Sequence, residues 1–271
     1  MPTRFPYGLN AGLKHNTPLH DILSVNADAG QWGLYYNDFT STAGLTAVAG
    51  STGTCNLFTS NNVTGGEFGQ LNCVTAATAS DVQACYLSSF VANAPALPFY
   101  ISKGASTSNT AEWVFSTRVK LANANNGFWV GIVPSSAVYT AGAVDMSADT
   151  VSGITTGILL HKAIDSAATY IDYYGTSAAL ITQTAMNSAA STTVMGFVAH
   201  SKGGYVSLYS STQTASTAPV WSKLGRLPVS GNTAVNVPLG LVLGGKAPAS
   251  AAASTISFDN VLFAHRSSIG R

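Results

Sequence analysis

Charge is what this sequence lacks. Lysine, arginine, aspartate and glutamate make up 8% of its 271 residues, against about 25% in an ordinary soluble domain. Glutamate occurs only as Glu67 and Glu112. Spread over the roughly 11,000 Å² that a folded 27.8 kDa monomer exposes, the 12 basic and 11 acidic residues leave about one charge per 480 Å². An ordinary composition leaves about one per 160 Å². A standard interface takes about 800 Å² from each partner, so patches of that size with one or two charges are unavoidable. The formal net charge of +1 supplies little self-repulsion. Such a surface is suited to contact with other protein.

Each absence excludes something. Lys14, Lys103, Lys120, Lys162, Lys202, Lys223 and Lys246 are scattered singly, and a nucleic-acid binder needs clustered cations to neutralise phosphates. The three cysteines, Cys55, Cys73 and Cys85, are odd in number and form no CxxC. That disfavours a disulfide scaffold and a zinc site, and small buried thiols are expected; a bridge between one pair stays open. No stretch approaches the roughly 20 apolar residues of a membrane span, and the first ten residues hold no apolar signal core. A soluble product made in the cytoplasm, with no membrane partner, is expected.

Catalytic patterns are equally scarce. Glycoside hydrolysis needs two carboxylates about 5–9 Å apart, and on a sandwich strand they alternate on one face. Neither Glu67 nor Glu112 has an acid two residues on; Asp145 with Asp149, and Asp165 with Asp172, read as loop or turn-flanking residues. Gly104-Ala105-Ser106-Thr107-Ser108 lacks the second glycine of a nucleophile elbow. Gly240 to Lys246 has the GxxxxGK spacing of a phosphate loop, but Ala247 replaces the metal-binding hydroxyl and Leu241-Val242-Leu243 reads as strand. His15, His20, His161, His200 and His265 show no metal spacing; His161 and His200 end apolar strands as hydrogen-bonded rim residues. No enzyme activity, catalytic residue, metal or cofactor is expected.

What is present is apolar and aromatic: 46% hydrophobic residues, with 11 Tyr, 11 Phe and 4 Trp, ample for a core. Residues 1–30, punctuated by Pro2, Pro6, Gly8, Gly12, Pro18 and Gly30, read as an extended arm that orders only by lying on something. From Trp32 the pattern is of short strands. Trp113, Phe115, Thr117, Val119 and Leu121 share one face, with Ser116, Arg118 and Lys120 on the other. Phe128 to Val133 is apolar on both faces, as a central strand is. Further strands are predicted at 156–161, 168–174, 194–200, 205–209, 235–243 and 255–264, with Pro238 limiting one of them. The stretches 137–151 and 210–219 read as long loops. No apolar stripe of helical period persists, so the fold class is all-β: one antiparallel β-sandwich over residues 31–271 behind the arm. Tyr205 and Tyr209 fall on one face with Ser207 between them, candidate exposed aromatic contacts for a sugar or a protein.

The order of short motifs carries a resemblance. Thr3-Arg4-Phe5-Pro6-Tyr7-Gly8, Tyr35-Tyr36-Asn37-Asp38-Phe39, Trp113 to Val119 followed by Asn125 to Ile132, Thr156-Gly157-Ile158, and Phe258-Asp259-Asn260-Val261 together resemble virion structural proteins of tailed bacteriophages, cyanophage-type ones in particular. The likeness spans most of the chain, and the TRFPxG start is its most specific part. It implies a concanavalin-like jelly roll and a cement or decoration protein. Such a protein is non-catalytic, sits on the outer capsid surface, binds the major capsid protein and is often a homotrimer. The arm residues Arg4, Phe5, Pro6 and Tyr7 are then expected at a capsid or subunit interface. The alternative expectation is a virion-surface carbohydrate-binding module or head fibre that meets a host glycan.

Overall fold

The alternation over Trp113–Leu121 is the pattern from which the whole molecule is built. The computed structural model describes residues 32–37, 39, 45–49, 54–57, 70–79, 82–87, 112–134, 157–166, 168–174, 180–186, 194–202, 205–213, 220–228, 239–250 and 252–266. The expected arm, with Arg4, Phe5, Pro6 and Tyr7, lies outside these residues, as does the stretch 137–151.

The described strands are β1 (Trp32–Asn37), β2 (Leu45–Ala49), β3 (Thr54–Leu57), β4 (Leu71–Thr75), β5 (Val82–Leu87), β6 (Trp113–Leu121), β7 (Gly127–Pro134) and β8 (Gly157–Lys162). They continue with β9 (Thr169–Tyr174), β10 (Leu180–Met186), β11 (Val194–Lys202), β12 (Tyr205–Gln213), β13 (Val220–Pro228), β14 (Leu239–Lys246) and β15 (Ser254–Arg266). All pairings among the described strands are antiparallel. Sheet A runs β13-β12-β11-β6-β15-β4-β3, with β1 also on β15; sheet B runs β10-β9-β8-β7-β14-β5-β2. No helix occurs among the described residues, and so none there could cross a membrane.

The core lies between the two sheets. Sheet A contributes Trp113, Phe115, Val119, Leu121, Phe197, Phe258 and Phe263, and sheet B contributes Phe128, Val130, Ile132, Ile158, Leu160, Leu241 and Leu243. Each such side chain stabilises the fold by about 1.5–3 kcal/mol through burial. Gly245 shows how close the sheets come: a Cβ there would lie 2.5 Å from Ile256 Cδ1. The GxxxxGK spacing of Gly240 to Lys246 is therefore a strand with a glycine at a packing contact. Pro238 immediately precedes β14, which spans Leu239–Lys246, starting four residues later and ending three residues later than alternation alone suggests.

Strand β15 carries the centre of sheet A. One side pairs with β6 throughout, while the other pairs first with β4 and then with β1. Its register on β6 shifts between Phe258 and Asn260, leaving Asp259 as the extra residue of a bulge. That extra residue lets Phe258 and Val261, three apart, both enter the core. Arg118 Nη1 lies 3.2 Å from Asp259 Oδ2, and Thr117 Oγ1 donates to Asn260 O at 2.8 Å. The outer face of sheet A is not simply wet. Val114, Val198, Leu262 and Ala264 are buried there in a second apolar cluster.

One end of the sandwich is tied by a polar knot. Lys162 is fully buried, and its Nζ donates to Asn126 O at 2.8 Å and to Ala163 O at 3.2 Å. Asn126 Nδ2 donates to Ser254 Oγ at 2.7 Å. Asp165 takes a left-handed conformation (φ 56°) that a short polar side chain tolerates. Its N–H donates to Asn125 O, and its carboxylate accepts from Ala249 N–H. Three connections, β6–β7, β8–β9 and β14–β15, are locked together by these bonds.

Candidate functional site

The flank of sheet A formed by β11, β12 and β13 brings exposed polar and aromatic side chains together. It starts from a tight hairpin. The ladder between β11 and β12 runs out to Lys202↔Tyr205, leaving Gly203-Gly204 as the connection. On β12, Val206 and Leu208 enter the core, so Tyr205, Ser207 and Tyr209 point outward.

Strand β13 completes the surface and was not expected from the sequence. Its register on β12 shifts between Leu208 and Tyr209, so Leu224 and Gly225 form a bulge. Lys223 and Arg226, three residues apart, consequently stand on the same outer face, opposite Tyr209 and Ser207. Arg226 Cζ sits 3.7 Å from the Tyr205 ring centroid, and Lys223 Nζ sits 6.0 Å from that of Tyr209. These are cation–π contacts, the first a close stack of guanidinium on phenol. Tyr205 is 41% exposed. Tyr209 is half-buried and rests on the outer apolar cluster together with Trp221. Gly196 makes room for that indole: a Cβ there would lie 3.0 Å from Trp221 Cη2 and 2.5 Å from Ser211 Oγ. Strand β12 extends to Gln213, so Ser210 to Gln213 is strand and not the loop expected from its Ser/Thr content; Ser210 and Ser211 are buried.

A charged triad borders the hairpin. Glu112, just before β6, places Oε1 3.0 Å from His200 Nε2 and 3.4 Å from Lys202 Nζ. Burial pushes the Glu112 carboxyl up, but the His200 hydrogen bond and the Lys202 charge more than offset it and hold it below its ordinary value. Burial pushes His200 down, opposed by Glu112 and assisted by Lys202, and the net shift is downward. Facing a carboxylate oxygen, which can only accept, His200 Nε2 is the donor in this bond. This is the hydrogen-bonded rim histidine that the sequence suggests. His161 is different. It is fully buried on the outer face of sheet B, stacked on Tyr170 with centroids 5.7 Å apart.

The three carboxylates whose side chains are described do not converge. Glu112 is committed to His200 and Lys202 at one end of β6, Asp259 to Arg118 at the β15 bulge, and Asp165 sits in the turn at the opposite end. No group of three or more His, Cys, Asp or Glu that could hold a metal ion occurs among the described residues. Burial pushes the Cys73 thiol up to about 12, so it is no nucleophile at neutral pH. Cys55 stands opposite Cys73 in the β3–β4 ladder, whereas Cys85 belongs to sheet B.

The sequence matches no protein-family model and no curated protein. Solved structures of the same architecture are numerous. The Lotus tetragonolobus seed lectin superposes with TM-score 0.57 at 10% identity, covering 87% of this chain and 99% of its own. Peanut lectin, solved with a nine-residue peptide, gives TM-score 0.54 at 12% identity over 87% and 97%. Winged bean acidic lectin, in complex with methyl-α-D-galactose, gives 0.50 at 10% over 87% and 99%. The fold is a concanavalin-like jelly roll. At these identities the likeness is one of fold, and the site must be argued from this chain's own residues.

Proposed function

We propose that this chain is a non-catalytic carbohydrate-binding domain whose glycan site is the outer flank of β11–β13. The observation that carries this reading is Tyr205. Its ring is exposed, stands on a hairpin with a two-residue connection, and is braced on one face by Arg226. The other face is left for the apolar face of a sugar ring, with Ser207 and Lys202 as neighbouring hydrogen-bonding groups. A stacking surface that is already fixed loses little conformational entropy on binding. The shared fold with lectins, one of them in complex with methyl-α-D-galactose, supports the reading. Glycan-array screening followed by calorimetry tests it. Tyr205→Ala should weaken the best glycan about 30-fold, as loss of a hot-spot aromatic does, with an unchanged thermal midpoint. Absence of binding to any glycan in the array would refute the proposal.

A second reading concerns where the domain works, and it is favoured by the scarcity of charge and by Val220, 71% exposed at the start of the edge strand β13. In this reading the protein decorates the outer surface of a phage capsid, as a homotrimer bound to the major capsid protein, with the arm residues Arg4 to Tyr7 at the interface. Glycan binding and capsid decoration are compatible on one particle. Electron microscopy of purified virions should show the domain on the shell, and deletion of residues 1–12 should release it. A shell without it sinks this second reading.

A further inference from the structure

We infer that the glycan recognised on this flank is acidic, a saccharide bearing carboxylate groups. The inference rests on the carbohydrate-binding reading and adds the chemical class of the ligand. Three cations, Lys202, Lys223 and Arg226, line the outer side of β12, and among the described residues the neighbouring acid is Glu112. These four described residues carry +2, while the whole chain carries +1, so all the others sum to −1. In a protein with so few charges this is a concentration of one sign.

The geometry gives that charge a direction. Tyr205, Ser207 and Tyr209 follow one another at every second residue of β12, about 6.7 Å apart along the strand. Arg226 stacks on the first ring and stands opposite Ser207, and Lys223 stands over the second ring. Cation and ring thus alternate along one line. Neither Lys223 nor Arg226 has a carboxylate partner among the described residues. Stacking holds the guanidinium plane while leaving its N–H fork to solvent, and that fork matches a carboxylate with two parallel hydrogen bonds. Glu112 does not cancel the field: its carboxylate already accepts from His200 and Lys202, and its side chain is 13% exposed. A neutral sugar would use the rings and leave the forks idle. A uronic-acid oligomer, with a carboxylate on each unit, uses both.

The test is calorimetry of the full chain with oligogalacturonate, with the same oligomer after reduction of its carboxyl groups, and with a sugar phosphate, each at low and high salt. The acidic oligomer should bind at least about 10-fold more tightly than its reduced form, and the preference should shrink in high salt. Arg226→Met should erase most of the preference, because it weakens the acidic oligomer about 10-fold more than the reduced one, which loses only the bracing of Tyr205. Lys223→Met should do so more weakly, as a point charge lacks the fork. Preference for the phosphate over the uronate would overturn the assignment to carboxylates. Equal binding of acidic and reduced oligomers would overturn the inference and leave the carbohydrate-binding reading standing. An Arg226→Met protein that still prefers the acidic oligomer would place the site elsewhere. Binding to neither oligomer overturns the inference, and a blank array in addition overturns the reading beneath it.

Discussion

Lys162 and Arg226 are both cations on strands of the same sandwich, and they behave in opposite ways. Lys162 is fully buried at the knotted end, where its ammonium donates to the carbonyls of Asn126 and Ala163. Arg226 lies exposed on the β12–β13 flank with its guanidinium flat on Tyr205. A buried charge must have its hydrogen bonds satisfied by protein, so Lys162 has nothing left for a ligand. An exposed, stacked guanidinium retains its donors in water, where a ligand can exchange for solvent. The lesson is that a charged residue in this charge-poor chain declares its role by whether its partners come from the fold.

The sharpest way to break the contrast is to remove the buried partner. Lys162→Ala should lower stability by about 3 kcal/mol, through a lost apolar stem and two orphaned carbonyls, read as a shifted denaturant midpoint. A change below about 1 kcal/mol would mean that the knot is slack. Gly196→Ala joins the two regions, because it disturbs packing under the flank. The new methyl would collide with Ser211 and Trp221, costing about 1–3 kcal/mol and loosening Tyr209 and the β13 strand. Glycan affinity should fall with it; unchanged affinity would uncouple the flank from its floor.

Acid should act on the border of the flank. Glu112 and His200 are both held below their ordinary values, 4.5 and 6.5. A depressed carboxylate stabilises the fold above its unfolded value and loses that contribution as pH falls through the folded one. A depressed histidine is favoured in its neutral form, so its contribution also is complete above 6.5 and declines on acidification. The thermal midpoint should therefore fall in two stages as pH drops below about 6.5 and then below about 4.5. Glu112→Gln should flatten the lower stage. A midpoint that rises on acidification would contradict both shifts. The smallest stability effect belongs to Tyr205→Ala, within about 0.5 kcal/mol because the ring is exposed, even though it removes the proposed stacking surface.

Much of the fold was legible because alternation is legible. Trp113 to Leu121, the two-sided apolar run from Phe128, and the hairpin across Gly203-Gly204 all stand where their periodicity puts them. The aromatic pair Tyr205 and Tyr209 was visible for the same reason. Strand β13 was not, and the cause is physical. Its bulge at Leu224–Gly225 breaks the period of two, so Lys223 and Arg226 read as residues on opposite faces. The same blindness applies to Lys162, which looks like a solitary surface lysine in the sequence, and to Glu112 and His200, which are 88 residues apart. The stretch from Ser210 to Gln213 misled through composition: serine and threonine suit an exposed loop, yet they also pair well in a ladder.

The placement of β15 has a consequence for how the chain is made. It is the last strand described in sequence and among the innermost in space, wedged between β6 on one side and β4 and β1 on the other. During synthesis from the N-terminus, β6 emerges long before its neighbour and waits with one open edge. Pairings between segments so far apart form slowly, and open edges are templates for wrong partners. A nascent chain that stops before Ser254 holds the flank β11–β13 on β6 and the pair β3–β4 as separate pieces, with no strand to join them. Completion of the last segment, rather than growth of a core from one end, is what closes sheet A.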